Sequence, residues 1–211
     1  MRKRLSRAAL FALAIVLVCL WGWCVYRVNA QAIRYPDERH SIGDTVHMEG
    51  AFFDTIEERT DGYSVRVDKV ETLSYNEYVQ NYGIDKTVKR KGLNERSVIC
   101  VTATISNTSV GEEENGGIDC MGLGIEQSND LDVYRIDNEL WSLAEQNVSE
   151  NQMFIRIRPQ TSYTVHIPFA TIFLDENYGD DNQVYRQKVA SGMYSLHLSA
   201  VPAKKIVQFE L

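Results

Sequence analysis

Residues 163–170 read YTVHIPFA, and apolar side chains occupy every second position of this stretch. Residues 99–105, ICVTATI, show the same alternation, and so do residues 194–200, YSLHLSA. Period-two alternation is typical of strands that bury one face in a core and expose the other. The three stretches therefore predict an antiparallel sheet with one buried face.

Seven further segments carry strand patterns between clusters of Asp, Asn, Gly and Ser. In residues 63–70, Val70 breaks the alternation of the preceding residues, which predicts a β-bulge. The other candidate strands are residues 45–48, 51–56, 119–126, 153–158, 183–189 and 205–211. Many short strands with turn residues between them predict a mainly β fold, an antiparallel β-sandwich.

Two segments have helical periodicity instead. In residues 74–83 an apolar face recurs at i, i+3, i+4 and i+7 and ends at Gly83, which predicts one short helix. A second is predicted within residues 137–147. The simplest interpretation is that these helices cover the sheet. The alternative is that the tyrosines of the first form a binding surface, because Tyr supplies contact area at low entropic cost. That face carries Tyr75, Tyr78 and Tyr82.

The amino terminus carries a different signal. Residues 8–26 contain no charged side chain, four basic residues precede them, and Trp21, Trp23 and Tyr26 lie at their far end. Nineteen helical residues at about 1.5 Å each span roughly the hydrocarbon core of a bilayer. We expect a single transmembrane signal anchor with the basic end in the cytoplasm. The alternative is a signal peptide cleaved after Ala30, which would release a secreted protein.

This predicts four regions: a cytoplasmic tail (1–7), a bilayer-spanning helix (8–26), a stalk (27–40) and an extracytoplasmic domain (41–211). Five of the 22 basic residues lie at or before Arg27, which leaves 17 against 29 acidic residues and a formal charge near −12. Nucleic acids are bound through basic residues that neutralise phosphate, so we expect the lipid bilayer as a partner but no nucleic acid.

Four segments in this order resemble a known kind of domain. They read IGDTV (42–46), SVRVDKVE (64–71), VICVTATISN (98–107) and RPQTSYTV (158–165). They are similar to immunoglobulin-like domains of unknown function in bacterial membrane-anchored or lipoprotein surface proteins. The resemblance implies an immunoglobulin-like sandwich at the cell envelope and carries over no catalytic residue. This chain departs from the pattern in having Pro159-Gln160 where Pro-Gly is usual, and an apparent insertion at residues 75–95.

Cysteines and acidic residues supply further candidates. If the strands around residue 110 form a symmetric hairpin, Cys100 lies opposite Cys120, close to disulfide geometry. The alternative is two reduced thiols on strands that do not pair. Asp175, Asp180 and Asp181 form a weak calcium candidate without the EF-hand spacing, and a solvated acidic loop is the alternative. No other metal and no cofactor is expected.

The sequence contains no Gly-x-Ser-x-Gly elbow, His-Glu-x-x-His motif, phosphate loop or dinucleotide fingerprint. We therefore expect a non-enzymatic, membrane-anchored binding or interaction module for an unknown protein or envelope ligand. An exported hydrolase or metal-dependent enzyme is the alternative, and a structural accessory protein is a third. A deep pocket that gathers His166, His197 and acidic residues would favour an enzyme, whereas an exposed aromatic patch would favour binding.

Overall fold

A computed structural model describes residues 2–32, 34–53, 58–87, 97–110, 116–128, 133–145, 153–171 and 189–211. The chain divides into two compact units, residues 1–34 and 35–211. The first contains one helix, α1 (Arg2–Gln31). Within it, Ala9–Gln31 is long and apolar enough to cross a membrane, and an 18-residue window of this segment has a mean hydropathy of 2.3 and no buried residue.

In the residues that the structure describes, the second unit is mainly β, with two short helices. Its helices are α2 (Tyr75–Tyr82) and α3 (Asn138–Ser142), and a 3-10 turn covers Cys120–Gly122. The strands are β1 (Asp37–Ser41), β2 (Thr45–His47), β3 (Tyr63–Ser74), β4 (Ser97–Asn107), β5 (Ile118–Asp119), β6 (Gly124–Gln127), β7 (Val133–Ile136), β8 (Phe154–Ile155), β9 (Thr161–Thr171), β10 (Met193–His197) and β11 (Lys204–Glu210).

Nine strands form one sheet in the order β1-β11-β10-β6-β7-β9-β4-β3-β2, and β5 pairs with β8. The pairings are antiparallel except for β1 with β11. An isolated bridge joins Phe52, after β2, to Val201, before β11. Eight strands of the large sheet send side chains into one core, so its two halves pack as an immunoglobulin-like β-sandwich. These include Val46, Val65, Val101, Ile125, Tyr134, Ile167, Leu196 and Val207.

A second, smaller cluster covers the outer face of β3 and β4. The helices α2 and α3 contribute Tyr78 and Leu140, which pack with Val98 and Cys100 of β4. Ser74 is the N-cap of α2, and its side chain accepts from the Glu77 amide in a capping box. Gly83 is the C-cap of the helix. This confirms the helix predicted at residues 74–83 and explains why β4 is buried on both faces there.

Most of the predicted strands are confirmed, including those containing residues 63–70, 99–105 and 163–170. The register shifts between Val67 and Lys69, so the bulge is confirmed as well. The extra residue, Asp68, accepts hydrogen bonds from Thr104 Oγ1 at 2.6 Å and Arg66 Nε at 2.6 Å. Because the side chain of the extra residue holds the bulge in place, the bulge is a regular feature of the sheet and not a defect.

Other predictions need correction. Residues 119–126 are not one strand, because the turn at Cys120–Gly122 carries the chain from the β5–β8 pair into the large sheet. Residues 153–158 form only the two-residue β8, and the described part of 51–56 makes a single bridge. Residues 183–188 of the candidate strand 183–189 lie outside the described residues. The predicted stalk ends earlier than residue 40, since Asp37–Ser41 form β1.

Glu58 holds the loop after β2 against β5. Glu58 is 3% exposed, and its carboxylate accepts from the amides of Phe53 at 3.0 Å and Asp119 at 3.3 Å. Burial raises the pKa of Glu58 above its usual 4.5, and this outweighs the two amide donors, which lower it. The folded protein thus keeps this proton to a higher pH than the unfolded chain does.

This predicts a pH-dependent effect of Glu58→Gln. Because the folded pKa is raised, the contribution of Glu58 to stability falls as pH rises from the usual value through the folded value. Relative to wild type, Glu58→Gln should therefore gain stability across that interval and then stay level. Urea denaturation followed by circular dichroism between about pH 4 and about pH 7 measures the difference. A difference that stays constant with pH would contradict the raised pKa.

Candidate functional site

The tyrosine face of α2 points into the protein and not toward solvent. Tyr75 is 2% exposed and Tyr78 is 0% exposed, within the second apolar cluster. The Tyr78 hydroxyl donates to the carbonyl oxygen of His166 at 2.6 Å, and burial raises the pKa of Tyr78 strongly. The binding surface predicted for Tyr75, Tyr78 and Tyr82 is therefore not an exposed aromatic patch. The periodicity was that of a helix covering a sheet.

Tyr82, at the end of α2, is only partly buried and joins a polar cluster on the sheet. Its ring stacks on His166 with centroids 4.0 Å apart, and its hydroxyl donates to Glu71 Oε1 at 2.8 Å. The second Glu71 oxygen lies 2.8 Å from Lys69 Nζ, and His166 Nδ1 lies 3.1 Å from Thr102 Oγ1. These contacts clamp α2 onto β3, β4 and β9.

The pKa shifts in this cluster follow from its contacts. The hydrogen bond from Lys69 lowers the pKa of Glu71, and burial lowers the pKa of His166 below its usual 6.5. Burial and the bond to Glu71 raise the pKa of Tyr82 to about 12. At neutral pH the cluster thus holds a charged Lys–Glu pair, a neutral imidazole and a neutral phenol. Its polar groups satisfy one another, as expected of a structural clamp.

Cys100 and Cys120 are free and buried, and they do not form the predicted disulfide. Strand β4 pairs with β3 and β9, so the hairpin that would place residue 120 opposite residue 100 does not form. Cys100 packs in the second cluster on the outer face of the sheet, whereas Cys120 packs in the main core. Burial raises the pKa of the Cys100 thiol to about 12, and the pKa of Cys120 is raised further by the same cause.

A pocket of about 210 Å³ lies on the outer face of the other half of the sheet, over β6, β7 and β10. Its centre is a row of three residues in register: His197 of β10, Gly124 of β6 and Arg135 of β7. Gly124 is buried and has no side chain, so the space above its Cα is open to neighbouring side chains. The pocket is also lined by Phe53, Gly122, Glu126, Val133, Ser199, Ala200 and Lys204.

Two glycines shape this pocket by allowing close approach. A Cβ on Gly124 would lie 3.0 Å from Arg135 Nη1, so the guanidinium lies directly over the glycine. A Cβ on Gly122 would lie 2.3 Å from Phe53 Cγ, so the phenyl ring packs against bare backbone. Glycine inside a strand commonly marks such a site of close contact.

The charges of the pocket are unevenly paired. Glu126 Oε2 lies 3.2 Å from His197 Nε2, but His197 Nε2 has no hydrogen-bond partner among the described residues, so Glu126 remains the one carboxylate that faces the pocket. Arg135 Nη1 donates to the carbonyl oxygens of Gly122 at 3.3 Å and Leu123 at 3.5 Å. Within the described part of the chain, neither Arg135 nor Lys204 forms an ion pair. Counting only the described residues, the pocket thus offers two cations without an ionic partner on an otherwise acidic domain.

A family model described as a domain of unknown function, DUF5028, matches residues 37–205. The chain belongs to the DUF5028 family. The match begins at the first residue of β1 and ends in β11, so it covers nearly all of the second unit. No curated protein sequence matches this chain. Among solved structures it is similar to MPT63, a secreted protein from Mycobacterium tuberculosis, with a TM-score of 0.41 and 12% identity over 84% of this chain and 98% of that chain.

In the DUF5028 domain, His166 and His197 are not brought together. They lie on β9 and β10, and β6 and β7 separate these strands in the sheet. The calcium candidates Asp175, Asp180 and Asp181 lie outside the described residues. Among the residues that are described, no group of three or more His, Cys, Asp or Glu side chains is placed to hold a metal ion.

Sequence reasoning did not find the pocket. Arg135 lies on a short strand, VYRI, whose alternation was detectable, and Gly124 lies in a predicted strand where glycine is unfavourable. Those two signals could have singled out the residues. Nothing in the sequence, however, shows that β7, β6 and β10 are neighbours, and the row His197–Gly124–Arg135 depends on that order.

Proposed function

We propose that this DUF5028 protein is a membrane-anchored binding module whose domain lies outside the cytoplasm. The amino-terminal helix supports this, because its 23-residue segment Ala9–Gln31 has the length and hydropathy of a bilayer-spanning helix. The basic residues before it favour a cytoplasmic amino terminus by the positive-inside rule. The domain after it would then be exported together with its pocket.

The anchor and the cleaved signal peptide predict different mature proteins. A retained anchor leaves the amino terminus at residue 1 or 2, whereas cleavage after Ala30 exposes Gln31. We propose the anchor, since the uncharged run of 19 residues exceeds the roughly 7–15 residues of a usual signal-peptide core. Mass spectrometry of the purified mature protein distinguishes the two, and a terminus at Gln31 would contradict anchoring.

The observation that carries the binding function is the pocket over β6, β7 and β10. It is concave, mixes apolar and polar walls, and presents Arg135 and Lys204 without ionic partners among the described residues. Ligand sites commonly combine a largely preformed cavity with a few unpaired polar groups. The long side chain of Arg135 is already held by two carbonyl oxygens, which reduces the entropy lost when a ligand binds.

The same pocket holds Ser199, His197 and Glu126, the residue types of a hydrolase. Ser199 is 1% exposed, and its hydroxyl donates to the Ala203 carbonyl at 2.9 Å and accepts from the Lys205 amide at 3.2 Å. Ser199 thus stabilises the turn before β11. Its hydroxyl proton is donated to a backbone carbonyl and not to a catalytic base. This arrangement supports binding over catalysis.

Affinity capture tests the binding function. The full-length protein, tagged at its carboxyl terminus and held in detergent, is incubated with envelope extract beside Arg135→Met and Arg158→Met. Arg158 is exposed and outside the pocket lining, so its replacement removes the same charge without touching the pocket. We expect a partner retained by wild type and Arg158→Met and lost by Arg135→Met. A partner that all three forms retain equally would contradict this pocket as the binding site.

A further inference from the structure

The pocket around His197, Gly124 and Arg135 has the dimensions of a small ligand group. Neighbouring strands lie about 4.8 Å apart, so the backbones of His197 and Arg135 are separated by about 10 Å with only a glycine between them. The pocket of about 210 Å³ falls below the roughly 300–1,000 Å³ of sites for drug-sized ligands. It suits a compact molecule or one end of a larger one.

The charged residues that line the pocket favour a ligand group that is negatively charged. Arg135 uses one nitrogen to contact the carbonyl oxygens of Gly122 and Leu123, which leaves other N–H donors of the guanidinium for a ligand. Lys204 adds a second cation without an ion pair among the described residues, so two cations face the single carboxylate of the lining, Glu126. An anion at this position meets two attractive charges on a domain that otherwise repels it.

The apolar residues that line the pocket indicate the chemistry of the uncharged part of the ligand. Phe53 lies against Gly122 on one side, and Val133 is partly exposed on the other. A single guanidinium pairs with a carboxylate through two parallel N–H···O bonds. A dianionic phosphate would gain less here, because Glu126 adds a repulsive charge to the same lining. The geometry therefore favours a planar monoanion that has an apolar body.

We infer that this pocket binds the carboxylate of a small organic acid through Arg135, with Phe53 and Val133 around its apolar part. The inference rests on the binding function proposed above and names the ligand class of the same site. Gly124 is a positioning residue in this arrangement: without a Cβ it lets the guanidinium lie flat over the strand. Lys204 supplies long-range attraction and not a geometric contact.

The test uses full-length ¹⁵N-labelled protein in detergent micelles, with chemical shifts of the Gly124 and Arg135 amides as the readout. Benzoate is the probe, benzyl alcohol its neutral counterpart, and inorganic phosphate the competing anion. We expect saturable shifts with benzoate and at least about tenfold weaker binding in Arg135→Met, because a charge-assisted bidentate pair is lost. Arg158→Met should bind as wild type does, and Gly124→Ala should weaken binding by displacing the guanidinium.

Three outcomes would overturn the inference: no saturable shift with benzoate, equal shifts with benzyl alcohol, or phosphate binding as tight as benzoate. The amide spectra themselves report whether each variant is folded, so a loss of binding is separable from a loss of structure. If envelope capture depends on Arg135 while benzoate fails, the binding function stands and the carboxylate assignment falls. If benzoate binds through Arg135 and no partner is captured, the carboxylate assignment stands and the pocket is a small-molecule site that retains no envelope partner.

Discussion

Replacing Trp141 with alanine is expected to lower the free energy of unfolding by about 3–5 kcal/mol, the usual range for deleting a buried aromatic side chain. Trp141 is 0% exposed and ranks among the largest fully buried side chains. It lies on α3 and packs into the main core between the sheet halves, so its removal leaves a large cavity. Urea denaturation of the full-length protein, followed by circular dichroism, measures the loss.

Trp141→Phe is the matched control. The indole Nε1 is buried and has no hydrogen-bond partner among the described residues. Removing an unsatisfied donor relieves a cost of about 1–3 kcal/mol, which offsets part of the lost packing. We therefore expect the phenylalanine variant to lose less than half of what the alanine variant loses. A phenylalanine variant that loses half as much as the alanine variant, or more, would contradict the relief of an unsatisfied donor.

The second large effect is expected at the ion pair that joins β1 to β11. Lys205 Nζ lies 2.6 Å from Glu38 Oε2, and the two residues are register partners in the parallel pairing. The lysine side chain is 5% exposed and that of Glu38 is 41% exposed. Glu38→Gln leaves the buried ammonium with Glu49, at 4.0 Å, as its only carboxylate among the described residues, so we expect a loss of about 3 kcal/mol.

The reverse change should cost much less. Lys205→Met keeps the buried aliphatic stem and leaves a carboxylate that water can reach, so the expected loss is about 1 kcal/mol or less. The double variant should resemble Lys205→Met alone, because the uncompensated charge is gone. Urea denaturation of the four proteins completes the cycle. If Lys205→Met lowers the free energy of unfolding more than Glu38→Gln does, the difference in burial between Lys205 and Glu38 does not determine the effect of breaking the pair.

The parts of the fold that could be predicted are those specified by local pattern. Apolar and polar side chains alternate in residues 99–105 and 163–170 because one face of each strand is buried in the core. Ser74 and Gly83 mark the two ends of α2, where Ser74 accepts from a free backbone amide of the first turn. β1 could not be predicted in this way. Its sequence, DERHS, has no apolar face, and it is held by backbone pairing with β11 and by Glu38.

The candidate sites were harder to predict because they depend on which strands are neighbours. The tyrosines of α2 could form an exposed binding surface as far as the sequence shows. In the structure Tyr75 and Tyr78 are buried instead, because they pack against Val98 and Cys100 on the outer face of β4. The disulfide hypothesis assumed that the strands before and after residue 110 pair with each other, whereas β4 lies between β3 and β9. The pocket likewise exists only through the order β10-β6-β7.

Protease treatment of intact cells that express the full-length protein tests the central claim, that α1 anchors the domain outside the cytoplasmic membrane. Immunodetection of a carboxyl-terminal tag follows the domain, and a tag before Arg2 follows the amino terminus. We predict that the carboxyl-terminal tag is lost from intact cells while the amino-terminal tag stays protected with a fragment the size of α1. A domain that is shielded in intact cells and digested only after lysis would contradict the account.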